Sequence, residues 1–228
     1  MIFRRITLSA IAIGILAGIF LSLLQTVDII PIIEQAEQYE THHDTAHTDH
    51  APSAWTPSDG FERNGYTAVT NILVTIGFTL LLVSLMTYQS NISIKSGLLW
   101  GLAGYATFFI APSIGLPPEI PGIESAALIQ RQGWWLMTVL CTGIGLATLA
   151  FSKRSLVKLI GLGVILLPQL IAAPQFDNQA LPPIDGNLAA SLHALTSDFI
   201  IASSLTNALY WLIIGLLSSA VVKHYIHR

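Results

Sequence analysis

Residues 6–27 read ITLSAIAIGILAGIFLSLLQTV, a run of 22 residues without a charge. A helix needs about 20 apolar residues to cross the ~30 Å hydrocarbon core of a bilayer, so this run is long enough for one crossing. Five further charge-free runs follow, at residues 64–94, 96–118, 132–152, 159–176 and 199–222. The sequence therefore predicts an all-α, polytopic bundle of six transmembrane helices. The run at 159–176 is short and carries Pro168 and Pro174 near its end, so five spans are the alternative.

The composition agrees with a membrane protein and excludes several other classes. Of the 228 residues, 53% are hydrophobic and only 10% are charged, whereas soluble domains carry about 25% charged residues. The 10 lysines and arginines are spread along the chain and form no basic surface for nucleic acid. The single cysteine, Cys141, lies in an apolar run and supplies neither a disulfide nor a thiolate metal site. We therefore expect one integral membrane domain, residues 1–228, surrounded by lipid.

The sequence shows no pattern typical of an enzyme. It contains no Walker-type phosphate loop, and the expected cytoplasmic turns are too short to hold a nucleotide-binding domain. No Ser/His pair, paired carboxylates or zinc-protease motif recurs inside the spans. An enzymatic function is therefore not expected.

The basic residues predict the orientation, because Lys and Arg are concentrated on the cytoplasmic side of membrane proteins. With six spans, one side receives eight basic residues: Arg4, Arg5, Lys95, Lys153, Arg154, Lys158, Lys223 and Arg228. The other side receives only Arg63 and Arg131, and all 13 acidic residues lie on that side or at the adjoining helix ends. This asymmetry predicts an inner-membrane protein with both termini in the cytoplasm.

Residues 42–50, HHDTAHTDH, form the densest group of potential metal ligands. They lie in a His- and acid-rich outer segment at about 34–63, and the candidate ligands are His42, His43, His47, His50, Asp44 and Asp49. On a helix, His43, His47 and His50 would share one face. Imidazole and carboxylate without thiolate suit Co2+, Ni2+, Zn2+ or Cu2+. The segment predicts capture of a divalent transition metal, and the alternative is a polar, low-complexity loop without a ligand.

Acidic and polar residues on the same side suggest a path for the ion. Three acids precede the histidines and would concentrate cations around them: Glu34, Glu37 and Glu40. Polar side chains inside spans usually face the bundle interior or a water-filled path. Four such residues lie in the predicted outer half of the bilayer: Asp28, Asn71, Gln169 and Asn207. They predict an access path below the histidines or, alternatively, hydrogen bonds that join the helices.

Two pairs of glycines are spaced four residues apart, Gly14 with Gly18 and Gly97 with Gly101. Small residues at this spacing let helix backbones approach closely. We expect ordinary packing within the chain, and a dimer interface is the alternative.

Several landmarks follow one another in an order that resembles a known family. They are Phe3-Arg-Arg5, Glu34-Gln-Ala-Glu37 with Tyr39-Glu40, the His-containing segment, Trp55-Thr-Pro57-Ser-Asp-Gly60-Phe-Glu-Arg63, Leu116-Pro-Pro-Glu-Ile-Pro-Gly122, Arg131-Gln132-x-Trp134-Trp135, Ala173-Pro-Gln175 and Leu205-Thr-Asn-Ala208. Each motif alone is weak, but their order and spacing cover nearly the whole chain. In this respect the sequence resembles the CbtA family of predicted cobalt-transporter subunits.

This resemblance implies a multi-span subunit for cobalt uptake, paired with a small single-span partner that carries histidines. Co2+ is then the expected captured or transported ion, with Ni2+ or Zn2+ as alternatives, and no tightly bound cofactor is expected. The resemblance also implies a histidine in the stretch Pro-x-Leu-Ile-x-Ala-Pro, where this chain has Gln169. The alternative function is a non-transporting accessory or assembly subunit, whose outer loop senses metal or has no part in binding it.

Overall fold

The computed structural model describes residues 2–44, 57–121, 125–175 and 186–226, and all of their side chains except those of residues 40–44 and 187–189. Within these ranges every regular element is helical, so the all-α prediction is confirmed. The helices are α1 (Ile2–Asp28), α2 (Ile30–Asp44), α3 (Phe61–Met86), α4 (Ile94–Tyr105), α5 (Ala111–Gly115), α6 (Leu128–Phe151), α7 (Ser155–Leu170) and α8 (Gly186–Val221). A π-helical turn, Ala106–Ile110, joins α4 to α5, and a second one, Val222–Ile226, follows α8.

Five helical stretches of the described chain are long and apolar enough to cross a membrane: Ile2–Asp28, Phe61–Met86, Ile94–Gly115, Leu128–Phe151 and Ala190–Ile226. The prediction of a multi-pass membrane protein is therefore confirmed. Helix α7 is also apolar, but its 16 residues span only about 24 Å at 1.5 Å per residue. The sixth crossing stays a prediction, and so does the cytoplasmic location of the termini.

The chain groups into two compact units. Unit 1 comprises Met1–Leu102 and Leu205–Arg228, and unit 2 comprises Ala103–Ser204. Unit 1 thus contains α1, α2, α3, most of α4 and the second half of α8, whereas unit 2 contains α5, α6, α7 and the first half of α8. The assignment of all residues to a single domain stays a prediction.

Direct backbone contact joins α1 and α3 in unit 1. A Cβ atom on Gly18 would lie 2.6 Å from the Cα atom of Ile72, a distance that real Cβ atoms essentially never show. Gly14 makes the same kind of contact with Ile76. Only glycine therefore fits at both positions, and the order of the contacts makes α1 and α3 antiparallel.

The second glycine pair joins α4 to α8 in the same way. A Cβ atom on Gly101 would lie 2.5 Å from the carbonyl oxygen of Trp211, and Gly97 contacts Ser219. Helices α4 and α8 are therefore antiparallel as well. Both glycine pairs pack within the chain, which confirms the simpler of the two sequence-based readings.

The first and last described helices meet at one end of unit 1. The guanidinium of Arg5 donates a 2.9 Å hydrogen bond to the carbonyl oxygen of Tyr225 and lies 5.3 Å from the centre of the Tyr225 ring. We call this the terminal end of unit 1. The opposite end, where α1 leads into α2 and where α3 begins, is called the loop end.

In unit 2, α6 and α7 form an antiparallel pair. A Cβ atom on Gly145 would lie 2.6 Å from the carbonyl oxygen of Gly161, so these helices also touch through their backbones. Trp134, near the start of α6, donates a 3.1 Å hydrogen bond from Nε1 to the carbonyl oxygen of Ile171, just past the end of α7. The indole ring of Trp134 is buried there and contacts Gly115 at the end of α5.

Candidate functional site

The predicted metal ligands lie at the edge of the described residues. His47, Asp49 and His50 are outside them, whereas His42, His43 and Asp44 form the helical end of α2, without described side chains. In the described part of the chain, no group of three or more His, Cys, Asp or Glu side chains is arranged to hold a metal ion. The capture site at residues 42–50 therefore stays a prediction.

Helix α2, which carries the predicted cluster, continues from α1 through a single turn residue. The amide of Ile29 donates to the carbonyl of Gln25, and the amide of Ile33 donates to the carbonyl of Ile29. Proline is tolerated in the first turn of a helix, so Pro31 does not interrupt α2. Ile29 and Ala36 are buried and fix α2 against its surroundings.

One of the three glutamates on α2 is engaged in an ion pair. The Nη1 and Nη2 atoms of Arg63, in the first turn of α3, donate to Oε2 and Oε1 of Glu37 at 2.9 and 2.5 Å. Arg63 also binds Oδ1 of Asp59 at 3.3 Å. A guanidinium that uses two nitrogens on one carboxylate fixes both position and orientation. Glu37 and Arg63 thus clamp α2 to α3 at the loop end of unit 1.

The start of α3 is held by a second, local set of bonds. The amide of Ser58 donates to Oε2 of Glu62 at 3.1 Å, and the hydroxyl of Ser58 donates to the same oxygen. Gly60 precedes the helix with a φ of 87°, a left-handed conformation that glycine adopts without strain. The chain that returns from residues 45–56 therefore enters α3 in a fixed geometry.

The remaining acids predicted for the access path are less constrained. Asp28 is the last residue of α1 and is exposed, and Glu34 is exposed on α2. Glu40 belongs to α2, but its side chain is not among those described. Asp28 and Glu34 are therefore more exposed than Glu37, whose carboxylate is also bound to Arg63.

The amides predicted for the path form hydrogen bonds between helices. In unit 1, Nδ2 of Asn71 on α3 donates to Oε1 of Gln25 at 2.6 Å and to Oγ of Ser22 at 3.1 Å, both on α1. The hydroxyl of Tyr210 on α8 donates to Oγ1 of Thr75 at 3.0 Å. These bonds join all three helices and favour the interhelical alternative for Asn71.

The other two path residues lie further along the chain. Gln169 in unit 2 donates from Nε2 to the carbonyl oxygen of Ala111 at 2.9 Å, which joins α7 to α5. Asn207 is half-buried on α8 in unit 1. Gln169 thus has a packing role at the position where the family resemblance implied a histidine.

A second arginine pair occurs in unit 2, between the first turn of α6 and the proline-rich stretch that precedes it. Nη2 of Arg131 lies 2.7 Å from Oε2 of Glu119, and Nη1 donates to Oγ of Ser125 at 3.0 Å. The Nε atom of Arg131 is buried without a hydrogen-bond partner. Neither arginine pair was predicted from the sequence. The only signal was that Arg63 and Arg131 are the two basic residues on the predicted outer side, which otherwise carries acids.

These features define a class: a multi-pass helical membrane protein in which Arg63 and Arg131 each bind a glutamate. The chain belongs to the family described as probable cobalt transporter subunit (CbtA), whose model matches residues 3–223. The family prediction made from the order of the motifs is thereby confirmed. No similar curated protein and no similar solved structure was found.

The family description fixes the function at a coarse level. Its members are transporter subunits, which is not a class of enzyme, and cobalt is the ion that it names. The word subunit implies a partner in a transporter complex. The chain is accordingly a membrane subunit for metal transport.

Proposed function

We propose that this chain captures Co2+ at the outer face of the inner membrane and passes it inward across six helices. His42, His43, His47 and His50, with Asp44 and Asp49, are the proposed ligands of the captured ion. Asp28, Glu34 and Glu40 attract the cation toward them. Family membership supports cobalt as the ion, and Ni2+ or Zn2+ would fit the same ligands.

The charge distribution at the predicted outer side supports capture of a cation. Arg63 and Arg131 are the two basic residues assigned to this side, and each binds a glutamate in the structure. Because two cations face 13 acids, the side keeps a strongly negative potential, which raises the local concentration of divalent cations.

The clamp between Glu37 and Arg63 is the observation that carries the proposed capture site. It joins α2 to α3, the helices that flank residues 45–56. Both ends of the histidine segment therefore start from helices in fixed positions. His42 and His43 follow Glu37 by five and six residues on α2, about 8 and 9 Å along the helix axis. Ligands that start from fixed stems lose less conformational entropy when they close on an ion.

The helix directions in unit 1 support six crossings. Since α4 and α8 are antiparallel there, the chain between them must return to the side at which α4 ended. Helices α6 and α7 therefore cross together or not at all. Helix α6 is long enough to span the bilayer, so we infer that α7 crosses as well, despite its 16 residues.

The proposed complex contains a further, smaller subunit. The family resemblance implies a single-span partner with histidines, which would take the ion from this chain or deliver it. Asn71 and Gln169 act in this scheme by holding helices together, because their amide donors are already engaged.

Purified protein in liposomes tests the proposal. Replacement of His42, His43, His47 and His50 by Ala should weaken Co2+ binding at pH 7.5 by at least tenfold, about 1.4 kcal/mol. Replacement of His193 and His224, which are exposed elsewhere on the chain, is the matched control and should leave affinity unchanged.

Two results would contradict the proposal in different ways. Unchanged affinity in the fourfold variant would remove the histidine segment from the capture site. Tight Co2+ binding without uptake, even when co-purified partners are present, would favour the accessory or assembly function instead.

A further inference from the structure

An open cleft lies at the terminal end of unit 1, where α3 has ended and α4 begins. Its volume is about 370 Å³, and it is lined by Ser90, Asn91, Ile92, Ser93 and Lys223. The first four residues belong to the turn between α3 and α4, whereas Lys223 lies in the π-helical turn after α8. A cleft of this volume is large enough to hold a small polar group. Two distant parts of the chain thus surround one space.

The charge around the cleft is positive. Lys223 is the one charged residue among those that line it, and it forms no ion pair with any residue that the structure describes. The stretches of chain that form the terminal end belong to residues 1–27, 63–118 and 199–228, which contain no Asp or Glu. They contribute Arg4, Arg5 and Lys95 to this end in addition to Lys223. An anion is therefore the ligand that the cleft favours.

Hydrogen bonds hold the wall of the cleft in place. Nε1 of Trp100 donates to Oε1 of Gln89 at 3.0 Å, and Nε2 of Gln89 donates to the carbonyl of Asn91 at 3.3 Å. The amide of Ser93 donates to Oγ of Ser96 at 2.7 Å, and the amide of Ser96 donates to Oγ of Ser93 at 3.2 Å. The turn thus has a defined shape without a ligand, which lowers the entropy cost of binding one.

The position of the cleft indicates where the anion comes from. Helices α3 and α4 belong to stretches long enough to span a membrane, so the turn between them lies at the level of the lipid headgroups. Tyr88, in this turn, is 90% exposed, and tyrosine is enriched at membrane interfaces. Ile94, Leu98 and Leu102 are all exposed and share one face of α4 because they are four residues apart. An apolar face for acyl chains therefore starts directly after Ser93.

We propose that this cleft binds the phosphodiester headgroup of an anionic phospholipid. The ammonium of Lys223 pairs with the phosphate, and the polar side chains of Ser90 and Asn91 bind the remaining headgroup oxygens. Basic pockets between transmembrane helices recognise anionic headgroups through the same chemistry. The bound lipid links the α3–α4 turn to the end of α8, so it stabilises unit 1.

Thermal unfolding in an uncharged detergent tests the site. A ligand that binds only the folded state raises Tm, so phosphatidylglycerol should raise Tm more than phosphatidylcholine with the same acyl chains. Lys223→Gln removes the charge and should raise the half-maximal phosphatidylglycerol concentration by about fivefold, the contribution typical of one lysine. Lys223→Arg keeps the charge and should keep most of the response. Asn91→Asp places a carboxylate in the cleft and should abolish the response.

Lys158→Gln is the matched control, because it removes the same charge from an exposed position on α7, outside the cleft. It should respond to phosphatidylglycerol like the unmodified protein. Equal Tm values in the two lipids for the unmodified protein would overturn the proposal, and so would a normal response of Lys223→Gln.

Two further results would reject a lipid site in this cleft. If Lys158→Gln weakens the response as much as Lys223→Gln does, the attraction comes from the overall charge of the protein and not from the cleft. If inorganic phosphate alone raises Tm as much as phosphatidylglycerol does, the cleft binds a free anion. Dependence on Lys223 together with indifference to inorganic phosphate would support the lipid.

Discussion

The helices of unit 1 and unit 2 are joined by different kinds of hydrogen bond. In unit 1, side chains bind side chains, as Asn71 binds Gln25 and Tyr210 binds Thr75. In unit 2, side chains of three helices donate to backbone carbonyls instead: Gln169 to Ala111, Trp134 to Ile171 and Tyr105 to Ser204.

The regularity of the helices explains most of this difference. Helices α1 and α3 are long and uninterrupted, with 27 and 26 residues, so their carbonyls are satisfied within each helix. In unit 2, Ala111 follows the π-helical turn and Ile171 follows the last turn of α7. Carbonyls near such breaks need donors from elsewhere, because lipid offers none. The same explanation applies to the one such bond named in unit 1. Arg5 donates to the carbonyl of Tyr225, which lies in the second π-helical turn.

The largest expected effect concerns the number of crossings. Cysteines can be placed at three exposed positions in a Cys141→Ser background: Phe61, Tyr88 and Leu156. If α6 and α7 both cross, an impermeant thiol reagent should label positions 88 and 156 from one side and position 61 only from the other. Labelling of position 156 from the same side as position 61 would show that α6 and α7 do not both cross the membrane.

The next effect compares the two kinds of hydrogen bond directly. Gln169→Leu leaves the carbonyl of Ala111 without its side-chain donor and should destabilise the protein by about 1–2 kcal/mol. Asn71→Leu leaves side-chain acceptors that can rotate to other donors, so it should destabilise the protein by only about 0.6 kcal/mol. Denaturation of both variants in one detergent measures the difference. A larger loss of stability for Asn71→Leu than for Gln169→Leu would contradict the contrast between the units.

The smallest effect separates the two arginine pairs. Arg63→Lys loses a two-nitrogen contact with Glu37 that an ammonium cannot reproduce. Both side chains are about one third exposed, so solvent screening limits the cost to about 1 kcal/mol. Arg131→Lys loses one contact to Glu119 and also removes the unpartnered Nε, so about 0.5 kcal/mol is expected. Equal shifts in Tm would show that the geometry of the clamp contributes nothing.

Much of the fold follows from the distribution of charges along the sequence. The charge-free run at 6–27 lies within α1, and the run at 132–152 agrees closely with α6. Helix ends are less predictable, because absence of charge does not mark a turn. The run at 64–94 continues for eight residues after α3 ends at Met86, and α8 begins at Gly186, 13 residues before its run.

The contacts at the candidate site could not be read from the sequence. Glu37 and Arg63 are 26 residues apart, and no local spacing rule relates residues on different helices. The acceptors of Gln169 and Trp134 are backbone carbonyls, which have no signature in the sequence. The sequence singled out Glu37, Asn71 and Gln169 as polar residues of interest, but only the structure shows which groups they bind.

The division of the chain has a consequence for how the protein is made. Unit 1 is built from the first and the last part of the chain, with Arg5 bonded to a residue 220 positions later, whereas unit 2 is continuous. At synthesis rates of about 5–20 residues per second, α8 follows α3 by roughly 6–30 s. During that interval the α1–α3 pair must wait in the membrane with Thr75 and the α8-facing surface uncovered. Unit 2 meanwhile has nearly all of its residues, so its helices can assemble before unit 1 is complete.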